Sequence, residues 1–257
     1  MKKIYFLLLV IGCNFSALSQ RLHMGVSTSV LKTYLLDRGI RNDPRYAPMT
    51  SKKWSPVGAT IAFEANSGYG IVTEFYLSNL SRTYQMLDAY KNQIGKRQID
   101  LKYWNLPILI KRVGNNSGKA RYNWGGGPQF SFLQKGIETI RQEADSATVI
   151  IPQGQIPPPG AIRNPDGTYT VFKAENVYNS FARRDVAIAL TGGIDIDVYK
   201  RFLVTVNMRL VYGISDVRSD DLIKQLINKQ MTLASLAERR ANLYWGTQFG
   251  IHYFLSW

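Results

Sequence analysis

Residues 243–257 read Leu-Tyr-Trp-Gly-Thr-Gln-Phe-Gly-Ile-His-Tyr-Phe-Leu-Ser-Trp. The odd positions, from Leu243 and Trp245 through Phe249, Ile251, Tyr253 and Leu255 to Trp257, are almost all apolar or aromatic. The even positions include Gly246, Gln248, Gly250, His252 and Ser256 and are mostly small or polar. Successive side chains of a strand point to opposite faces, so this is one long strand with an aromatic-rich apolar face. A sandwich-core strand rarely carries such a face over so many residues. A strand that faces lipid does, and the terminal series Phe249, Ile251, Tyr253, Leu255 and Trp257 has the form of a barrel-insertion signal.

The same period recurs upstream. Phe202 to Tyr212, Val186 to Val198, Tyr122 to Phe132, Tyr69 to Leu77, Val57 to Phe63 and Leu22 to Val30 each alternate apolar with small or polar residues. An eighth segment, 98–112, alternates at Ile99, Leu101 and Tyr103. It is read as shifting register near Asn105, where Leu106, Ile108 and Ile110 take over, with a bulge at Pro107. Eight strands are an even number suited to up-and-down closure. Short connections, 66–67, 114–118 and 200–201, alternate with long ones, about 32–56, 81–97, 136–182 and 214–242. Short periplasmic turns and long outer loops are the pattern of a bacterial outer-membrane barrel, with both termini periplasmic. The expected fold is therefore all-β: an eight-stranded antiparallel up-and-down transmembrane barrel. An interior of this size is filled by side chains rather than open as a pore.

The N-terminus supports export. Lys2 and Lys3 precede an apolar run from Ile4 to Gly12, and Ala17-Leu18-Ser19 offers a small-residue cleavage site before Gln20. Residues 1–19 read as a signal peptide and 20–257 as the barrel with its loops. Val10-Ile11-Gly12-Cys13 also fits a lipoprotein box, so two readings of Cys13 stand. Cys13 is the only cysteine, which leaves the mature chain without disulfides or thiolate metal sites. No segment after the signal is long and apolar enough for a transmembrane helix.

The chain carries 32 Lys and Arg against 18 Asp and Glu; removing the signal leaves 30 against 18. Such an excess favours anionic partners. For an exported protein these are outer-membrane lipids, including lipopolysaccharide, rather than nucleic acid. The barrel-assembly machinery is expected as a partner during insertion, and an envelope protein as a further partner.

By strand parity, Glu64, Glu74, Asp100, Lys102, Arg121, Asp195, Asp197 and Arg209 face the lumen, with His23 and His252 neighbours on the first and last strands. Buried charges need partners, so these residues are read as a structural polar network. No nucleophile–base–orienter set emerges, and no cofactor or metal site is expected. The expected function is that of a non-enzymatic outer-membrane barrel presenting basic extracellular loops for partner or surface binding, as a secretion or envelope accessory factor; a lipid-modifying enzyme and a narrow channel stand as the alternatives. In the loops, Asn164-Pro165-Asp166-Gly167 marks a turn before a hairpin strand at Thr168–Phe172. Ser219 is placed to cap a helix, and Ser235 with Glu238 forms a second candidate capping box.

The stretch Tyr103-Trp104-Asn105-Leu106-Pro107-Ile108-Leu109-Ile110-Lys111, followed by the glycine-rich Gly125-Gly126-Gly127-Pro128, resembles the PorT-like outer-membrane β-barrel family of Bacteroidetes. The resemblance implies an eight-stranded barrel. Asn105 stands where that family usually carries an acidic residue. One member serves protein secretion and gliding, a role the resemblance does not transfer.

Overall fold

The structure is a computed structural model. It describes residues 20–49, 51–87, 90–91, 93–114, 118–142, 146–149, 162–163, 165–172, 175–228 and 239–255. The expected signal peptide, the second capping box and Trp257 lie outside them.

Eight long strands form the wall: β1 (Gln20–Leu36), β3 (Ser51–Ala65), β4 (Tyr69–Leu87), β5 (Gln93–Val113), β6 (Ala120–Gln142), β11 (Arg184–Tyr199), β12 (Phe202–Gly213) and β13 (Ala241–Phe254). Every wall pairing is antiparallel, and β1 pairs with β13 from His23↔Phe254 to Leu36↔Ala241, which closes the ring. Closure satisfies the backbone that lipid could not, so no wall strand keeps an open edge through the apolar zone. Short strands decorate the loop end: β2 (Tyr46–Met49) and β10 (Glu175–Tyr178) on the barrel sheet, and β7 (Ser146–Val149), β8 (Ile162–Arg163) and β9 (Tyr169–Phe172) in a separate small sheet. A one-turn helix covers Arg38–Arg41, and Asp220–Asn228 is helical. Ser219 accepts from the Leu222 amide, capping the latter as expected. At the turn end, Gly68 adopts φ +79° and closes the β3–β4 turn with its N–H on the Ala65 carbonyl.

The wall reverses its polarity along its length. Toward the turn end the outward side chains are apolar, as at Ile71, Phe75, Ile108, Ile110, Ile188, Leu190, Phe249 and Ile251, and the inward ones are largely polar, with Val72, Leu109 and Leu203 as apolar members among them. Toward the loop end the inward side chains become apolar. Leu31, Leu35, Leu80, Tyr84, Ile99, Leu101, Tyr103, Phe181 and Val217 form one buried cluster there, while Lys96, Gln98, Asp100 and Lys102 point outward. The switch falls at an aromatic girdle: outward Phe75 stacks on Trp104 at 4.7 Å, and Trp104 lies opposite Phe132. Trp245 and Lys32 continue the girdle around the barrel. At the turn end Tyr69 takes a hydrogen bond from Arg112, and Tyr253 takes one from Arg201. Aromatic rings with a polar tip settle where apolar and wet surroundings meet.

This reversal corrects the reading of 98–112. The strand does not change face at Asn105. Odd residues from Ile99 to Val113 all point inward, straight through Pro107. The apolar set changes parity because the environment changes: water lies outside the upper half of β5 and an apolar zone outside the lower half. The bulge belongs to β6 instead, between Leu133 and Lys135 opposite Tyr103 and Lys102. Asp100 and Lys102 are therefore outward residues above the girdle, not lumen residues. For the same reason the expected loop 81–97 is mostly wall: β4 runs to Leu87 and β5 starts at Gln93.

A seam opens between β3 and β4 above the girdle. Their ladder ends at Ala59↔Phe75. Beyond it comes Pro56, which has no N–H to donate, and β3 bulges against β1 between Ser27 and Ser29. β1 then reaches β4 by side chains. Thr33 Oγ1 donates to the Ser81 carbonyl at 2.9 Å, and Arg82 returns a bond to the Thr33 carbonyl at 3.4 Å. Ser55 Oγ donates to the Leu77 carbonyl at 2.5 Å. The Leu77 and Ser81 carbonyls lie on β4 beyond the end of its ladder with β3, and these hydroxyls supply them with donors.

Candidate functional site

Two polar regions come out of this architecture: the lower lumen, and a groove at the seam on the outside.

In the lumen, Gly25 lies opposite His252 across the closure, and His23 meets the His252 ring edge-on at 5.1 Å. His23 Nε2 lies 3.6 Å from Glu64, which Arg121 also approaches at 3.6 Å; Arg121 reaches Asp197 at 3.4 Å. Asp195 receives Lys111 Nζ and Asn123 Nδ2, each at 2.7 Å. Higher up, Arg209 binds Glu74 through two nitrogens at 2.7 and 2.8 Å, and Gln248 adds a third bond to that carboxylate at 2.9 Å. Such fork geometry is the strongest form of this pair. Above it, Tyr76 and Tyr244 share a hydrogen bond, and both meet Gln129. Asn105 donates to Ser78 Oγ and accepts from Ser131 Oγ, each at 2.8 Å.

The structure thus brings His23, Glu64, Glu74, Arg121, Asp195, Asp197, Arg209 and His252 into the lumen and excludes Asp100 and Lys102. Sequence reasoning missed Lys111, Asn123, Gln248 and the Tyr76–Gln129–Tyr244 group. Strand parity places each of them inward, so the signal was there. At Asn105 the amide both donates and accepts, which an ionised carboxylate does not do.

Small residues let this packing close. A Cβ at Gly246 would collide with the Val30 carbonyl of the neighbouring strand. The void left among His23, Glu74, Lys111 and His252 is only about 20 Å³, room for about one water. Among the described residues no group of three or more His, Cys, Asp or Glu side chains is placed to hold a metal ion. At the loop end the mouth is clasped: Arg240 reaches Asp37 at 2.7 Å and Glu138 at 3.1 Å, and Arg97 pairs with Glu138. Arg240 is nearly buried; burial opposes its charge, but Glu138 and Asp37 raise its pKa above the ordinary arginine value.

Outside the wall, the seam forms a groove of about 520 Å³ over the outward faces of β4, β5 and β6. Lys53, Lys96, Lys102, Lys135 and Arg141 line it, and Asp100, which takes a 2.6 Å bond from Gln98, is the carboxylate among them.

A family model described as an outer membrane protein beta-barrel domain matches residues 49–219. No curated protein matches in sequence. Solved structures of similar topology include Neisserial surface protein A, at 6% identity and TM-score 0.41, covering 90% of this chain and 96% of that one. OprG from Pseudomonas aeruginosa has 9% identity and TM-score 0.44, with coverages of 93% and 96%. The outer membrane protease OmpT from Escherichia coli has 10% identity and TM-score 0.44, with coverages of 91% and 97%. The chain belongs to the outer-membrane β-barrel domain family, and its place is the outer membrane.

Proposed function

We propose that this chain is a non-catalytic, non-conducting barrel that carries a basic binding surface on a rigid extension of its wall. In this reading the turn end and both termini are periplasmic and the loop end is extracellular. The finer placement in the PorT-like subgroup, carried by Tyr103–Lys111, is part of the proposal, as is an envelope protein as the partner of the loops.

The observation that supports it is the reversal of polarity. A channel needs a continuous wet path. Here a cavity of about 230 Å³ opens at the turn end beside Glu64, Arg121 and Asp197, but above it the lumen narrows to a void of about 20 Å³ among His23, Glu74, Lys111 and His252, and the upper interior holds a packed apolar cluster. An enzyme acting on outer-leaflet lipid needs its reacting groups near that leaflet. The two histidines instead lie at the turn end, and His23 is buried against Glu64 and Phe254. What remains open and charged is the outer surface of the extension.

The test is threefold. Planar-bilayer recordings of the purified chain should give no conductance steps. The mass profile of outer-membrane lipid A should be the same with and without the gene. Affinity purification from outer membranes should recover a component with the full chain that is lost when residues 143–174 are removed. Step conductance, a changed lipid profile, or no component dependent on the loops would overturn the reading.

A further inference from the structure

The groove at the seam carries an arrangement that the fold alone does not favour. On the outward face of the β5–β6 ladder, Lys102 lies directly opposite Lys135, and Lys96 lies directly opposite Arg141. Residues facing each other on one face of an antiparallel pair have Cβ atoms about 5 Å apart, and like charges there are destabilising. Arg141 also faces Glu175 of β10 across its other side, so the upper pair has an acidic residue in register, whereas the Lys102–Lys135 pair, with Lys53 lining the same groove and Asp100 two residues along β5, describes a surface built for an anion. Lys53 lines the same groove from β3, beyond the point where Pro56 breaks the ladder to β4.

The groove's height names the kind of anion. The Lys102–Lys135 rung follows directly on the Trp104–Phe132 rung of the girdle, with Phe75 stacked on Trp104. Two residues of strand separate the rungs, about 7 Å. The lower cations therefore sit where the first polar layer of a bilayer meets the wall, and below them the wall is apolar. The Lys96–Arg141 rung lies six residues farther out, about 20 Å along the strand.

We propose that this groove binds a phosphorylated glycolipid anchored in the surrounding leaflet. Lys53, Lys102 and Lys135 would hold a sugar phosphate. The acyl chains would lie on Trp104, Phe75 and Phe132, and Lys96 with Arg141 would meet anionic sugars farther from the membrane. The proposal rests on the orientation given above, in which the loop end is extracellular, and on the chain being a binding scaffold.

The full chain, purified in detergent micelles, is titrated with bisphosphorylated lipid A, with the same lipid dephosphorylated, and with inorganic pyrophosphate. Binding and heat stability are both read. Lipid A should bind saturably and raise the unfolding temperature; the dephosphorylated lipid and pyrophosphate should each bind at least about tenfold more weakly. A basic side chain at a membrane surface contributes about fivefold, so K102Q/K135Q should bind lipid A about 30-fold more weakly. K102R/K135R should bind as the native chain does. K200Q/R201Q, at the turn end, should be unaffected. Without lipid, K102Q/K135Q should be at least as heat-stable as the native chain, because a like-charge opposition has been removed. Equal binding of the dephosphorylated lipid, equal binding of pyrophosphate, or an unchanged K102Q/K135Q would overturn the proposal. Those results leave conductance and lipid profile untouched, so this failure is separable from failure of the scaffold reading.

Discussion

Replacing Arg209 with methionine removes the guanidinium from a deeply enclosed ion pair of the lumen and leaves the Glu74 carboxylate behind. Both side chains are buried, and the pair is held by two hydrogen bonds at 2.7 and 2.8 Å. Gln248 would remain as a donor to that carboxylate at 2.9 Å, but one neutral amide does not replace a guanidinium fork. Breaking a buried pair by removing one partner costs about 3–5 kcal/mol, because an uncompensated charge is left in a dry place. Replacing both partners removes the charge as well as the pair. The double variant E74Q/R209M should therefore recover most of the loss and lie within about 1 kcal/mol of the native chain. The native chain, R209M, E74Q and E74Q/R209M would be unfolded in urea from detergent micelles, with folded fraction read by heat-dependent gel mobility. The expected result is two strongly destabilised single variants and a double variant near the native value. If R209M alone falls within about 0.5 kcal/mol of the native chain, the lumen is wetter than described and the pair does not hold the strands as argued.

Two further outcomes follow from the same architecture. Ile108 faces outward below the girdle and Gln98 faces outward above it on the same strand, so I108R should cost about 2–4 kcal/mol in a bilayer refolding assay and Q98R nearly nothing; equal costs would contradict the position of the girdle. In the loop between β12 and β13, burial would raise the pKa of Asp216, but hydrogen bonds from the Arg218 side chain and backbone hold it below the ordinary carboxylate value of 3.8. Its contribution is complete above that value and is lost as pH falls through the lowered pKa, so the amides of Arg218 and Arg240, which donate to it, should lose exchange protection in that acid window, whereas in D216N their protection should not change across it.

Much of the fold was legible in residue alternation, because a barrel wall in lipid imposes period two on both faces at once. The outward series of β13, β12 and β11 reads directly from 186 to 255, and the alternation of short and long connections follows the wall order. What alternation did not show was where the surroundings change. Ile99, Leu101 and Tyr103 look lipid-facing when apolar is equated with outward, yet they fill the interior of a wall segment that stands in water. The same equation assigned Asp100 and Lys102 to the lumen and shortened β4 and β5. The seam is legible only afterwards: Pro56 is visible in the sequence, but the carbonyls of Leu77 and Ser81 are supplied by Ser55 and Thr33 through contacts that no local pattern records. The lumen network is readable by parity, which also places Lys111, Asn123 and Gln248 inward. The cation pairs of the groove depend on register across a bulge at Leu133–Lys135, which a single strand's sequence does not specify.

The most direct test is a spin-label scan along β5. The only native cysteine is Cys13, upstream of the barrel, so single cysteines can be placed at positions 98 to 110 one at a time. Collision with oxygen reports lipid and collision with a polar nickel reagent reports water. The labels at 106, 108 and 110 should be lipid-exposed and those at 98, 100 and 102 water-exposed, with the crossing at Trp104 and both probes excluded at 99, 101 and 103. Lipid exposure at 99 and 101, with 100 and 102 shielded in the lumen, would contradict the reversal of polarity on which this account stands.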